Sequence, residues 1–382
     1  MFYTLFTFLA WLLAAPFLLL ASMARKYRKS LPARFFLIKN PPLKPAKIHF
    51  HVCSLGEAVA IKNLALKFSD FSVSVITATG FNAALKFCKN VRFLPFENFL
   101  PFWLKKSEIL VIFEAELWLN LVRSAKKNGT FVVLLNARMS DRSFKRYKFF
   151  KFYYKKVFEN IDLVLAQSDK DALRLEILGA ENIKITGNIK SANFSKPTKN
   201  YAKFKERLIV IASTHEGEEE LVLNNLEINQ NDKIILAPRH PERFKKAGEI
   251  LAKYAKKNAL KFEKFSQNSD LKSECILLDT LGELVNFYAI ADVVILCGSF
   301  VNNVGGHNPI EPAYFGAKII SGKYFYNQKA LYEIVKNIEI CEATEISKAI
   351  KKSRRSEILN ISNLDEIKKI IEEKKWKKHI NF

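Results

Sequence analysis

A chain of 382 residues is long enough for two or three domains with cores of their own, and its 49% hydrophobic content excludes a disordered chain. Lys and Arg outnumber Asp and Glu by 61 to 38, a formal net charge of +23 that favours anionic contacts: nucleic acid or an acidic membrane surface. The cysteines (Cys53, Cys88, Cys275, Cys297, Cys341) are scattered and never spaced CxxC, which argues for a reducing compartment and against a structural zinc site.

Residues 1–24 carry no charge and are rich in Leu and Phe, and Arg25-Lys26-Tyr27-Arg28-Lys29 follows. About 20 apolar residues span a bilayer, and basic residues on the C-terminal flank place that side in the cytoplasm. A cleaved signal peptide has its positive region ahead of the apolar run, not after it. The expectation is an uncleaved anchor with a cytoplasmic body. Pro16 leaves open a kinked or partly embedded segment.

After the joint Pro41-Pro42-Leu43-Lys44-Pro45, residues 47–52 alternate as a strand. Ser54-Leu55-Gly56-Glu57 then turns into an apolar-periodic helix over 58–68. Glu57 falls at a strand's C-terminal end, where open α/β sheets put ligands, though a first-turn carboxylate also suits the helix dipole. His49 and His51 share one strand face and read as core or edge residues rather than metal ligands.

Strands over 73–77, 91–94, 109–113 and 131–135 follow, several separated by helices, a βαβα pattern that predicts a parallel sheet. Two of their ends carry polar clusters, Glu114-Ala115-Glu116-Leu117-Trp118 and Asn136-Ala137-Arg138-Met139-Ser140. Residues 144–158 interleave aromatic and basic side chains without an acidic one, which suits lipid headgroups. Single-stranded nucleic acid and a plain amphipathic helix fit the same run. A strand at 183–186 ends in Gly187-Asn188-Ile189-Lys190, and a polar linker occupies 191–201.

The second half repeats the pattern. Strands over 208–212 and 233–237, and one ending near Leu278, lead into Ser213-Thr214-His215-Glu216-Gly217-Glu218, Pro238-Arg239-His240-Pro241-Glu242-Arg243 and Asp279-Thr280-Leu281-Gly282-Glu283-Leu284. The buried-type strand 293–296 leads to Cys297-Gly298 and then Gly305-Gly306-His307-Asn308-Pro309-Ile310-Glu311-Pro312. Gly305 and Gly306 allow close backbone approach to a ligand, a helix start offers N–H groups to an anion, and Glu311 is placed to accept from a hydroxyl such as a ribose's. Beyond Gly322 helices dominate, and the Lys-rich tail over 361–382 has helical spacing. The predicted fold is α/β, with two doubly wound parallel-sheet domains facing across a cleft and an N-terminal anchor helix.

Ser54-x-Gly56-Glu57, Glu114-x-Glu116-Leu117-Trp118, Asn136-Ala137-Arg138-x-Ser140, Ser213-Thr214-His215-Glu216-Gly217-Glu218, Pro238-Arg239-His240-Pro241-x-Arg243 and Gly305-Gly306-His307-Asn308-Pro309-x-Glu311 together resemble the 3-deoxy-D-manno-octulosonic acid (Kdo) transferases. The resemblance runs in order from the N-terminal anchor to about Gly322. It implies a membrane-anchored, inverting GT-B glycosyltransferase that moves Kdo from CMP-Kdo to lipid A precursor (lipid IVA), with no essential metal and no cofactor beyond the donor. It implies a place at the inner membrane, body cytoplasmic, with CMP-Kdo, lipid A precursor and an anionic membrane surface, not nucleic acid, as partners. Glu57 matches the family's general base, and Glu114 and Lys190 match groups that stabilise the transition state. Pro238-Arg239, Gly282-Glu283-Leu284 and Asn308-Pro309-Ile310-Glu311 match the CMP-binding segments. The chain departs from the family at Leu119, where Pro is frequent, and at Ser191-Ala192, where an aromatic-Asp pair is usual. The expected organisation is an anchor over 1–24, an acceptor-binding domain over 25–195, a nucleotide-sugar domain over 205–350, and a C-terminal helix over 351–382 packing back across the domains. A GT-B transferase using another nucleotide sugar is the alternative.

Overall fold

The computed structural model describes residues 2–114, 117–192, 194–229, 231–268, 270–359 and 361–373. Glu116 of the acidic pair and residues 374–382 of the tail lie outside the described residues. The chain forms two compact units, one of residues 2–192 with 361–373, the other of residues 194–359.

The first unit runs α1 (Phe2–Ala21), α2 (Ser30–Phe36), β1 (Ile48–Val52), α3 (Leu55–Ala65), β2 (Phe71–Val75), α4 (Ala78–Ala84), β3 (Val91–Phe93), α5 (Leu100–Trp103), β4 (Ile109–Phe113), α6 (Leu119–Lys127), β5 (Phe131–Ala137), α7 (Asp141–Phe149), α8 (Lys151–Phe158), β6 (Leu163–Ala166), α9 (Asp169–Ile177) and β7 (Ile183–Ile185). All seven strands are parallel, in the order β3-β2-β1-β4-β5-β6-β7. β4 shows why: Ile109, Val111 and Phe113 enter the core on one face, Leu110 and Ile112 the core on the other, and all are buried. The order reverses between β1 and β4, the position at which a doubly wound sheet opens a crevice at its strand ends.

His49 and His51 are buried and share the hydroxyl of Ser74, at 2.7 and 2.9 Å. Burial holds both rings neutral, with pKa values lowered to about 3. The aromatic-basic run forms two helices, α7 and α8, because the chain leaves helical geometry at Phe150 (φ −96°, ψ 29°).

α1 is long and apolar enough to cross a membrane, and it exposes Leu13 (76%), Phe17 (73%) and Leu20 (68%). Its other face is docked on the unit. The Trp11 indole donates to the Phe35 carbonyl at 2.8 Å and meets Phe99 edge-on at 5.4 Å between ring centres. The Tyr3 hydroxyl binds the buried carboxylate of Glu97, which also accepts from the Asn120 amide at 2.8 Å. The segment is thus part of the fold, not a detachable tether.

The second unit runs β8 (Arg207–Thr214), α10 (Glu218–Asn224), β9 (Asp232–Pro238), α11 (Phe244–Lys257), β10 (Phe262–Lys264), β11 (Cys275–Leu277), α12 (Leu284–Tyr288), β12 (Val293–Leu296), α13 (Ile310–Tyr314), β13 (Lys318–Ser321), α14 (Lys329–Tyr332), β14 (Val335–Lys336), β15 (Ile338–Ile340), α15 (Ile346–Lys352) and β16 (Glu357–Ile358). Its seven-stranded parallel sheet has the order β10-β11-β9-β8-β12-β13-β15, reversing between β8 and β12. Beyond Gly322 helices dominate as expected, with short strands among them that were not expected: β15 forms the sheet's edge and β14 pairs antiparallel with β16. These strands are two or three residues long, too short to show a period in sequence. The chain then returns to the first unit as α16 (Leu364–Glu373), which packs against α3 and buries Ile367, Ile370 and Ile371 at helical spacing.

Candidate functional site: polar groups at two sheet reversals

In the first unit, Ser54 caps α3 by accepting from the Glu57 amide. The Glu57 carboxylate reaches back to accept from the Cys53 amide at 2.7 Å and from the Ser54 hydroxyl at 3.2 Å. This is a capping box shifted by one residue. It pins the half-buried carboxylate at the end of β1. Each carboxylate oxygen has two acceptor sites, and these bonds use one on each to orient the group.

Across the reversal, at the end of β4, Glu114 adopts φ 58°, and at the end of β5 Asn136 adopts φ 58° as well. Left-handed non-glycine residues are costly and cluster at functional sites. Here the strain is held by a hydrogen-bond network. The Asn136 side chain donates to Glu114 at 3.2 Å and accepts from the Ile189 amide at 2.9 Å. Lys190 donates to Glu114 Oε1 at 2.7 Å, each side chain about one-quarter exposed. Asn188 accepts from the Lys190 amide at 3.0 Å and donates to Gln167 at 3.0 Å. The Lys190 turn (Ile189–Ala192) packs against α3, so Glu57's helix and the Lys190 turn are neighbours. Lys190 is therefore oriented by Asn188 and Glu114 despite the departure at Ser191-Ala192. Sequence reasoning quoted Asn136 and Asn188 without assigning them a task; their signal was a polar residue at a strand end.

In the second unit the reversal lies between β8, which ends at Thr214 just before His215, and β12, which leads into Gly298. The fully buried Glu218 carboxylate ties these ends together, accepting from the amides of Gly298 (2.7 Å), Phe300 (3.0 Å) and His215 (3.0 Å). Burial pushes its carboxyl up, against the pull of those three amides. Glu219 beside it is fully buried and takes a two-pronged bond from Arg243, at 3.1 and 2.9 Å. Both glutamates therefore serve the scaffold. Above them the His215 and His307 rings stack at 16° and 5.1 Å, with Nε2 atoms 2.9 Å apart, and His240 stands edge-on to His215 at 5.3 Å. Gly306 has φ 87°, and a Cβ there would come within 2.8 Å of Phe325, so only glycine lets this loop close.

Arg239 follows Pro238 at the end of β9, anchored by its amide on the Thr214 carbonyl (3.1 Å), and its exposed guanidinium has no hydrogen-bond partner among the described residues. Gly282 (φ 88°) precedes Glu283, whose carboxylate accepts from Lys199 (2.5 Å), Asn286 (2.7 Å) and Tyr201 (3.0 Å) just before Leu284 opens α12. Burial works to raise the Glu283 carboxyl, and the Lys199, Asn286 and Tyr201 bonds outweigh it and hold it low. Those contacts bind the linker to α12. Asn308 accepts from the Ile310 amide at 2.9 Å, Pro309 precedes the five-residue α13, and Glu311 accepts from the Ser195 amide at 3.3 Å. The first amide of α13 is thus already satisfied, which weakens that helix start as an anion site. Among the described residues no three His, Cys, Asp or Glu side chains converge as metal ligands.

Two doubly wound parallel sheets in one chain, each with polar groups gathered at its reversal, are the GT-B build. Residues 29–193 match the family model described as 3-deoxy-D-manno-octulosonic-acid transferase (kdotransferase). The 3-deoxy-D-manno-octulosonic acid transferase of Rickettsia bellii is 30% identical over 361 residues, 86% of this chain and 81% of the relative. A bifunctional glycosyltransferase/methyltransferase of Fusobacterium nucleatum is 33% identical over 310 residues, covering 73% of this chain, which spans only 48% of that relative's length. Among solved structures, the C-terminal CMP-Kdo binding domain of WaaA from Acinetobacter baumannii is 26% identical, with 38% of this chain and 79% of that one covered and a TM-score of 0.34. The chain belongs to the Kdo transferase family and is a glycosyltransferase.

Proposed function

We propose that this protein moves Kdo from CMP-Kdo to a lipid A precursor (lipid IVA), with inversion, at the cytoplasmic face of the inner membrane. The observation that carries the reading is the placement of Glu57 and Glu114 on neighbouring strand ends at the reversal of the first sheet. In this reading Glu57 takes the proton of the attacking sugar hydroxyl. General-base assistance is worth about 10²–10⁴ in rate. Glu114, held by Lys190 and Asn136, supports the charge that develops at the sugar.

The second unit takes the donor. Arg239 offers an unengaged fork to the phosphate, and the segments Pro238-Arg239, Gly282–Leu284 and Asn308–Glu311 line the nucleotide. The leaving CMP is already an anion, so this positive charge serves in place of a resident metal. The apolar face of α1 and the basic, aromatic α7–α8 run (Phe149 80% and Phe152 68% exposed) hold the protein on an anionic membrane surface, where its acceptor resides.

Purified protein incubated with CMP-Kdo and lipid A precursor should yield an acceptor heavier by whole Kdo units in mass spectrometry. Transfer from a different nucleotide sugar under the same conditions, with none from CMP-Kdo, would overturn the assignment.

A further inference from the structure

The pair His215–His307 sits at the reversal of the second sheet, one ring following β8 and the other in the glycine loop after β12. Two imidazole nitrogens 2.9 Å apart are bonded only if one carries a hydrogen and the other a lone pair. Adding one proton to the pair leaves that N–H···N bond in place and makes it charge-assisted, whereas adding two destroys it. The pair therefore holds either no net charge or a single positive charge.

Its surroundings decide which. Arg239 and His240 from the end of β9 and Arg243 from the turn after it bear on the pair, and Tyr326 flanks the loop at Gly305. On the acidic side, Glu218 is engaged by three amides, and Glu219, held by Arg243 and the Thr214 hydroxyl, pulls His215 upward. Glu216, exposed, lies 3.7 Å from Arg243. Burial first lowers the pKa of both rings; His240 and Arg239 add to it at His215 against the pull of Glu219, and His215 and Arg239 add to it at His307, which falls to about 4. The empty pair is neutral at pH 7. An anion placed against Arg239 reverses the sign of that field and favours the charged imidazolium.

We propose that the His215–His307 pair is a proton-coupled subsite for the phosphate of the nucleotide, charging when the phosphate binds and discharging when it leaves. One proton passes from solvent to the free ring nitrogen of the donor imidazole, and no other bond is made or broken. The inference rests on the second unit being the donor domain. It adds that donor affinity is tied to pH through two residues outside the segments assigned to CMP.

Calorimetry with CMP on the full-length protein between pH 7 and pH 8 tests it. Over this range CMP's phosphate, with a second pKa of about 6, is mainly a dianion and supplies no proton change of its own. Uptake of one proton requires CMP affinity to fall by about tenfold per pH unit, by linkage, with a binding enthalpy that varies with the buffer's ionisation enthalpy. Cytidine, which lacks the phosphate, should show neither effect. His307→Gln and His215→Gln, each checked for an unchanged melting profile, should bind CMP more weakly at pH 7 and lose the slope. Wild-type protein that binds CMP with a flat pH profile and a buffer-independent enthalpy overturns the inference without any variant, as does a slope that survives in both variants. Wild-type protein that binds no CMP at either pH removes the donor assignment itself, and the subsite with it.

Discussion

The two sheet reversals are solved by different means. In the first unit the strand ends are held by side chains: Asn136, Asn188, Lys190 and Glu114 form one network over two left-handed residues, and Glu57 folds back on its own strand. In the second, the strand ends are held by backbone amides converging on the buried Glu218, and the His215–His307 pair lies at the same reversal. A side-chain network can aim individual groups at a reacting atom. A backbone cradle leaves nearby cationic side chains such as Arg239 to the anionic ligand of the proposed function. The first unit is therefore the place to look for losses in rate, and the second for losses in affinity.

The largest effect expected is at Glu57. Glu57→Gln keeps the bond from Cys53 and should cut turnover by roughly 10²–10⁴ while leaving the CMP dissociation constant unchanged. Near-normal turnover would remove Glu57 as the base and make Glu114 or Glu116 the next candidate.

Acid should strike the first unit harder than the second, through His49 and His51. Their folded pKa of about 3 lies below the ordinary 6.5, so between those values the unfolded chain binds more protons than the folded one and stability falls as pH falls. Taking the protein from pH 7 to pH 5.5 should therefore cost about 2–3 kcal/mol for the two rings together. Urea titrations at both pH values measure it, and His49→Asn with His51→Asn should remove most of the difference if the variant folds.

For the second unit, Glu218→Gln puts an amide N–H₂ where a carboxylate accepted main-chain N–H groups. The loss should be roughly 1–3 kcal/mol for the unsatisfied donor, with weaker CMP binding and an unchanged response to acceptor. If rate fell and affinity did not, the cradle would be a catalytic element rather than a binding one.

The smallest change concerns α1. Tyr3→Phe leaves Glu97 buried with one partner fewer and should lower stability by about 1 kcal/mol, seen as a lower midpoint of thermal unfolding in detergent. No change would mean that the helix is a tether after all. Deleting residues 1–24 should do more than release the protein from membranes, because it uncovers the aromatic surface that Trp11 packs against.

Periodicity and residue type made much of this legible. The buried runs Ile109–Phe113 and Val293–Leu296 could only be strands covered on both faces, and the helices between strands required parallel sheets. The uncharged N-terminal segment declared its apolar character, and polar clusters in the sequence placed Glu57, Glu114 and Arg239 at strand ends. Other features depend on residues far apart in the chain. That Glu283 binds Lys199 and Tyr201, that Glu218 gathers amides at 215, 298 and 300, and that His215 meets His307 across 92 positions are consequences of strand order. Strand order is set by which faces pack together, and no local pattern records it. The docking of α1 on Glu97 is of the same kind, because a helix that is apolar all round gives no sign in sequence of which side meets protein and which meets lipid.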